Sequence, residues 1–195
     1  IVPLPCAPRA VIAAREIRST TLVSSRNALR AAGLESAYLS YLSESDIQQL
    51  HALVPGSWVS MRLALAHYAA VDQLGLSDEV ARANGRRVAE FVQNAHVVTL
   101  LRAVGSAVPI WMVIGRCPTL MSRLVKGGAC AVYKLGPKDA RIELHGVPIA
   151  RYAYVRAGWA GMIEGTLSMV ARGVTVRDRS RINSDTIAAF GVSWS

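Results

Sequence analysis

Ala129-Cys130-Ala131-Val132-Tyr133-Lys134-Leu135, then Gly136-Pro137-Lys138-Asp139, then Arg141-Ile142-Glu143-Leu144-His145: this stretch decides the fold. The first run is apolar and ends on a Gly-Pro turn. After the turn, Ile142 and Leu144 alternate with Arg141, Glu143 and His145, the period of a half-buried strand. A hairpin is therefore expected. Beyond it, a helix is expected from Ala150 to Ala171, followed by strands at Val174–Asp178 and Ile187–Trp194.

Working back toward the N-terminus, the pattern turns helical. Val11–Ile17 alternates well enough for one short first strand. Leu22, Val23, Arg26 and Leu29 then share a helical face over Thr20–Ala32, with Gly33 as its stop. Ser43-Glu44-Ser45-Asp46 starts a helix that Pro55-Gly56 breaks. Ser57 is the expected cap of a helix over Trp58–Leu74, and Ser77 of a longer one that runs to about Val104. A short helix follows Pro118. No repeat or Pro/Ser-rich linker divides the chain. The expectation is one α+β domain over residues 1–195. Its helical part (about 18–127) packs on a four-stranded, mostly antiparallel sheet with a crossover helix (about 129–195).

Composition narrows the function classes. Of 195 residues, 52% are hydrophobic, which suits a packed core rather than a disordered chain. The apolar run Ala103–Gly115 is too short to span a bilayer, and no leader-like opening is present, so a cytoplasmic location is expected. Three cysteines, far apart, form neither a disulfide framework nor a zinc pattern. Cys130 reads as a core residue. The net charge of +9 invites a nucleic-acid reading. The arginines are scattered, however. Arg82, Arg86 and Arg87 share a helix with Glu79 and Glu90, while Arg177, Arg179 and Arg181 alternate beside Asp178 and Asp185. No specific nucleic-acid partner is expected.

No catalytic constellation is legible: there is no G-x-S-x-G, no P-loop, no H-E-x-x-H and no paired carboxylates. Nothing argues for an enzyme, and no catalytic or metal-ligating residue is assigned. Glu164 is read as solvent-facing. Gly158, Gly161 and Gly165 form a stripe on the long helix. Each glycine costs a helix about 1 kcal/mol relative to Ala, so the stripe implies close approach of another backbone, from within the chain, from a dimer partner, or of a flat ligand. His96 reads as a core histidine or a ligand-facing one, and Trp111 belongs to an apolar run that is core or pocket wall.

The C-terminal half resembles the superfamily that joins heme-NO-binding domains, 4-vinyl-reductase ligand-binding domains and Bet3-like trafficking subunits. The resemblance rests on Arg141–His145, on Arg151-Tyr152-Ala153-Tyr154-Val155-Arg156-Ala157-Gly158, on Gly161-Met162-Ile163-Glu164-Gly165 and on Ala189-Phe190-Gly191-Val192-Ser193-Trp194. With Val54–Trp58, Leu63–Tyr68 and Val132–Lys138, the whole chain resembles a paralogous family best known from myxobacteria.

The resemblance implies a Tyr-x-Ser-x-Arg clamp for porphyrin propionates just before the crossover helix. Here that place reads His145-Gly146-Val147-Pro148-Ile149-Ala150-Arg151, without the Tyr and the Ser. His96 stands where an axial ligand would fall. The cofactor expected is therefore none, with heme the disfavoured candidate. The cysteines that 4-vinyl-reductase-like domains carry near the last two strands are missing from Arg179–Phe190. The leading expectation is a non-enzymatic sensor or regulatory domain binding a small apolar or planar ligand through His96, Trp111, Tyr152, Arg156 and Trp159. The alternative is a homodimeric protein-interaction module without a ligand.

Overall fold

The computed structural model describes residues 2–3, 11–93 and 109–195. In chain order the elements are β1 (Val2–Pro3), β2 (Glu16–Arg18), α1 (Ser19–Ala31), α2 (Glu35–Leu39), α3 (Glu44–His51), β3 (Trp58–Ser60), α4 (Met61–Asp72) and α5 (Asp78–Gln93). After residues 94–108 follow α6 (Ile110–Ile114), α7 (Cys117–Leu124), β4 (Val125–Lys126), β5 (Ala129–Gly136) and β6 (Asp139–His145). A 3-10 turn (Pro148–Arg151), α8 (Ala153–Leu167), β7 (Thr175–Asp178) and β8 (Ala188–Ser193) complete the chain.

The main sheet is antiparallel in the order β1-β5-β6-β8-β7. The hairpin of β5 and β6 closes through the Gly136–Asp139 turn. The helix α8 then crosses from β6 to the edge strand β7, and β8 returns between them. Register places Val132, Ile142 and Phe190 side by side, as it does Ala140, Val192 and Val176. All six are buried. A fully buried Val, Ile or Phe contributes about 1.5–3 kcal/mol, so this row holds the sheet against the helical layer.

Helix α8 offers the core small residues, Ala157, Ala160 and Gly161, beside Tyr154, Val155 and Leu167. Helix α4 contributes Leu63, Ala64, His67, Tyr68 and Val71. The fold class expected from the sequence is the one found, a helical N-terminal part on an antiparallel sheet with a crossover helix. The core of four strands gains a two-residue edge strand, β1.

Local details differ. The chain at Trp58–Ser60 is a strand rather than the first turn of a helix, since Val59 pairs with Ile17 in a small second sheet, β3-β2-β4. The cap of α4 is accordingly Ser60, whose Oγ accepts from Leu63 N at 3.3 Å, and not Ser57. The crossover helix is shorter than Ala150–Ala171, because Pro148 opens a separate 3-10 turn ahead of it. Glu164, expected in solvent, instead pairs with Arg86 of α5 at 3.0 Å.

Candidate ligand cavity between α1, α5 and α8

Helices α5 and α8 cross with backbone against backbone. A Cβ at Gly161 would collide with the Arg82 carbonyl, and one at Gly85 with the carbonyl of Gly158. A Cβ at Gly165 would meet Ala89 Cβ and Arg86 Cα, both at 3.4 Å. The structure thus places the glycine stripe against α5 of the same chain. Arg86 and Glu164 bridge the same two helices along the rim of the crossing.

Beside this crossing, where α1 joins the other two helices, the packing opens into an apolar cavity of about 70 Å³. Tyr68, Val88, Met121, Leu124, Trp159 and Met162 form much of its wall. Its polar fitting is one hydroxyl cluster. The Tyr154 hydroxyl shares a hydrogen bond with Ser25 Oγ at 3.2 Å and accepts from Asn84 Nδ2 at 3.3 Å. The Tyr154 amide donates to Asp72 Oδ1 at 3.0 Å, which fixes the start of α8 on the end of α4. Burial pushes the Tyr68 phenol up, with the Thr21 hydroxyl working against it. The cavity therefore carries dipoles but no charge at neutral pH.

Outside the cavity lies an open groove of about 450 Å³ between α1 and α5, lined by Thr20, Val23, Asn27 and Arg87 among others. Ser24, Asn84 and Val88 line both spaces and form the partition between them.

Of the residues singled out from the sequence, Trp159 lines the cavity. Trp111 lies elsewhere, packed edge-on against Trp194 at 5.0 Å and donating Nε1–H to the Pro137 carbonyl at 3.2 Å. Arg156 donates to the carbonyls of Ala150 and Arg151, at 2.9 and 2.8 Å, and pairs with Asp178 at 3.4 Å, so it tethers the 3-10 turn and β7 to α8. Tyr152 is the N-cap residue of α8, and partial burial raises its phenol pKa. His96 lies outside the described residues.

The residues that sequence reasoning missed are Ser25, Asn84 and Tyr154. Tyr154 is two positions from the chosen Tyr152, and that proximity is its one sequence signal, because a helical wheel anchored on the apolar positions Val155, Met162 and Ile163 sets it roughly 100° away from their face. Ser25 and Asn84 carry no such signal, since short polar side chains on amphipathic helices are ordinary.

The fold is similar to that of solved structures. The H-NOX protein from K. algicida in its Fe(II) unliganded form superposes with a TM-score of 0.69 at 9% identity, covering 92% of this chain and 97% of that one. A mutant of the T. tengcongensis H-NOX superposes with a TM-score of 0.59 at 10% identity, covering 92% and 98%. No family model and no curated protein matches the chain. The chain has an H-NOX-like fold.

Porphyrin is the group this fold implies; the described residues lack the expected propionate clamp, and His96 lies outside them. The turn where a propionate clamp would stand buries Val147, Ile149 and Ala150 in the core. Its one cation, Arg151, donates Nε–H back to the Pro148 carbonyl at 3.2 Å. The glycine contacts close α5 onto α8, and the cavity beside them is far below the roughly 300–1,000 Å³ of cofactor sites, a size that the open groove between α1 and α5 does reach. No group of three or more His, Cys, Asp or Glu among the described residues is placed to hold a metal ion. No helix among them is long and apolar enough to cross a membrane.

Proposed function

We propose that this protein is a non-enzymatic sensor or regulatory domain of H-NOX-like fold that takes a small, largely apolar ligand between α1 and α5. The observation that supports it is the partition of Ser24, Asn84 and Val88, which separates an outer groove of cofactor-site size from an inner cavity with a hydroxyl anchor. The inner space is about half the roughly 150 Å³ that accepts a benzene ring. It suits a few heavy atoms with one polar group aimed at Tyr154, the rest of the ligand lying in the groove. Trp159 is the wall residue carried forward from the sequence. Catalysis has no support in the cavity, because its polar groups are hydroxyls and an amide, with no carboxylate, imidazole, thiol or amine among the lining residues.

Heme does not enter this reading. The homodimer alternative would need a face other than the glycine stripe, which α5 covers. Native mass spectrometry of freshly purified protein tests both. The expected result is a monomer carrying a small copurifying mass, lost in Ser25→Leu, which fills the cavity and leaves the protein folded with a modestly lower melting temperature for the lost bond to Tyr154. An empty, concentration-dependent dimer would overturn the ligand reading. Added hemin is expected to give no Soret band that survives gel filtration, and a stable band abolished by His96→Ala would restore heme.

A further inference from the structure

On the sheet face turned away from α8, strand register sets four positions in one line: Tyr133 on β5, Arg141 on β6, Gly191 on β8 and Arg177 on β7. Arg179 stands two residues after Arg177, so strand alternation gives it the same face. Its guanidinium lies over Gly191, where a Cβ would come within 2.5 Å of Nε and 2.7 Å of Nη2. Three guanidinium groups thus belong to one row, and the glycine at its centre is what lets Arg179 lie down on the sheet. Glycine inside a strand marks such close approaches.

The three are not equally satisfied. Arg141 Nε sits 2.7 Å from Glu143 Oε1, with its N–H off the line to the oxygen, and its Cζ lies 4.5 Å over the Tyr133 ring. The buried Glu143 gives its other oxygen to His145 Nε2 at 2.9 Å. Arg177 and Arg179 are exposed, and neither guanidinium has a hydrogen bond or ion pair among the described residues. Two carboxylates share the face. Glu143 is committed to Arg141 and His145, and Asp139 stands two residues along β6 in the next row, opposite Ser193. Asp178 faces the other side, toward Arg156.

We propose that this row is a binding site for a phosphate-bearing anion, seated over Gly191 between Arg177, Arg179 and Arg141. Arg141 and Arg177 flank Gly191 two strand spacings apart, roughly 9–10 Å, with the Arg179 guanidinium lying between them; like charges so gathered repel one another, and an anion among them reverses the sign of that interaction. The planar forks of guanidinium groups match phosphate oxygens in pairs. A ligand with two phosphates would span the row, and the Arg141–Glu143–Tyr133 contacts hold one wall of it in place beforehand. The row lies on the opposite side of the sheet from α8, so the site would be a second input, separate from the cavity of the helical layer.

Isothermal titration of the intact protein with inorganic pyrophosphate, at about 150 mM salt to screen diffuse charge, is the test. Saturable one-site binding is expected, weakened about tenfold or more by Arg177→Gln and by Arg179→Gln, the loss of a charge-assisted hydrogen bond. Gly191→Ala is expected to weaken it as well with little change in melting temperature, because the added methyl displaces only the end of the flexible Arg179 side chain. Arg181→Gln, an exposed charge just beyond the row, should bind as wild type. ADP bound no better than pyrophosphate would identify the phosphates alone as the ligand, and ADP bound more tightly would identify a nucleotide. Failure of both to saturate would overturn the proposal. So would an equal loss in Arg181→Gln, since that reports net charge and not a site.

Discussion

Helices α5 and α8 meet in two ways along their shared length. At Gly85, Gly158 and Gly161 their backbones touch, and no side chain intervenes. Where α1 joins them, the larger side chains Asn84, Val88, Tyr154 and Trp159 hold the surfaces apart around about 70 Å³ of space. Both arrangements carry a penalty. A helix-interior glycine is worse than Ala by about 1 kcal/mol, and a cavity of this size costs on the order of 1–2 kcal/mol. The difference teaches how a fold combines rigidity with room. The glycine crossing fixes the two helices firmly, so that the neighbouring gap cannot collapse onto itself.

The largest expected effect breaks the crossing. Gly161→Leu should destabilise at the upper end of the about 1–3 kcal/mol that overpacking costs, because the atom it meets is the Arg82 backbone carbonyl and cannot rotate away. For a chain of this size that is a fall in melting temperature of roughly 2–4 °C per kcal/mol. An unchanged thermal midpoint would show that the helices can separate there freely.

The charge-free cavity contrasts with a buried centre on α4 that holds a titratable group. His67 on α4 is fully buried, and its Nδ1 lies 2.7 Å from the Tyr38 hydroxyl while Nε2 has no partner. Burial, with the nearby Arg26 charge, holds its pKa down to about 3. The folded state thus keeps His67 neutral while the unfolded chain takes up a proton below about pH 6.5. Its contribution is present above that pH and is lost progressively as the pH falls toward 3. Between pH 6.5 and 5 the loss should reach about 2 kcal/mol. Urea titrations at both pH values should show His67→Asn closing on the wild type by that amount. A gap that stays constant would mean that the imidazole is accessible to protons in the native state.

The smallest effect concerns the cavity's anchor. Tyr154→Phe removes the hydroxyl that joins Ser25 to Asn84, and about 0.5–1.5 kcal/mol of stability should go with it. Ligand retention should fall much further than stability does. Retention equal to wild type in native mass spectra would remove Tyr154 from the ligand site and leave only the apolar walls.

Much of the architecture was legible in the order of residues. Alternation along Arg141–His145 and the Gly-Pro turn before it are local signals, and they locate β5 and β6 without any knowledge of partners. The glycine stripe was legible as a demand for close contact, but its partner was not. That α5 fills the place, and neither a dimer mate nor a ligand, follows from the crossing of two helices separated by some sixty residues. The small sheet β3-β2-β4 escaped notice because strands of two or three residues have no period to detect. Trp58-Val59 therefore read as the start of the apolar helix behind it.

The candidate site was less legible, for a related reason. Trp111, Tyr152, Arg156 and Trp159 were chosen for their chemistry, which sequence displays. Whether they share a space depends on rotations and distances that sequence does not display, and three of the four serve as packing, cap or tether. By itself the sequence determined the class of fold, because periodic burial is written residue by residue and each element reports its own inward face. Where α5 meets α8 backbone to backbone, and where it leaves a small hollow beside Tyr154, only the tertiary structure decided. Those outcomes depend on the volumes of side chains brought together from distant parts of the chain.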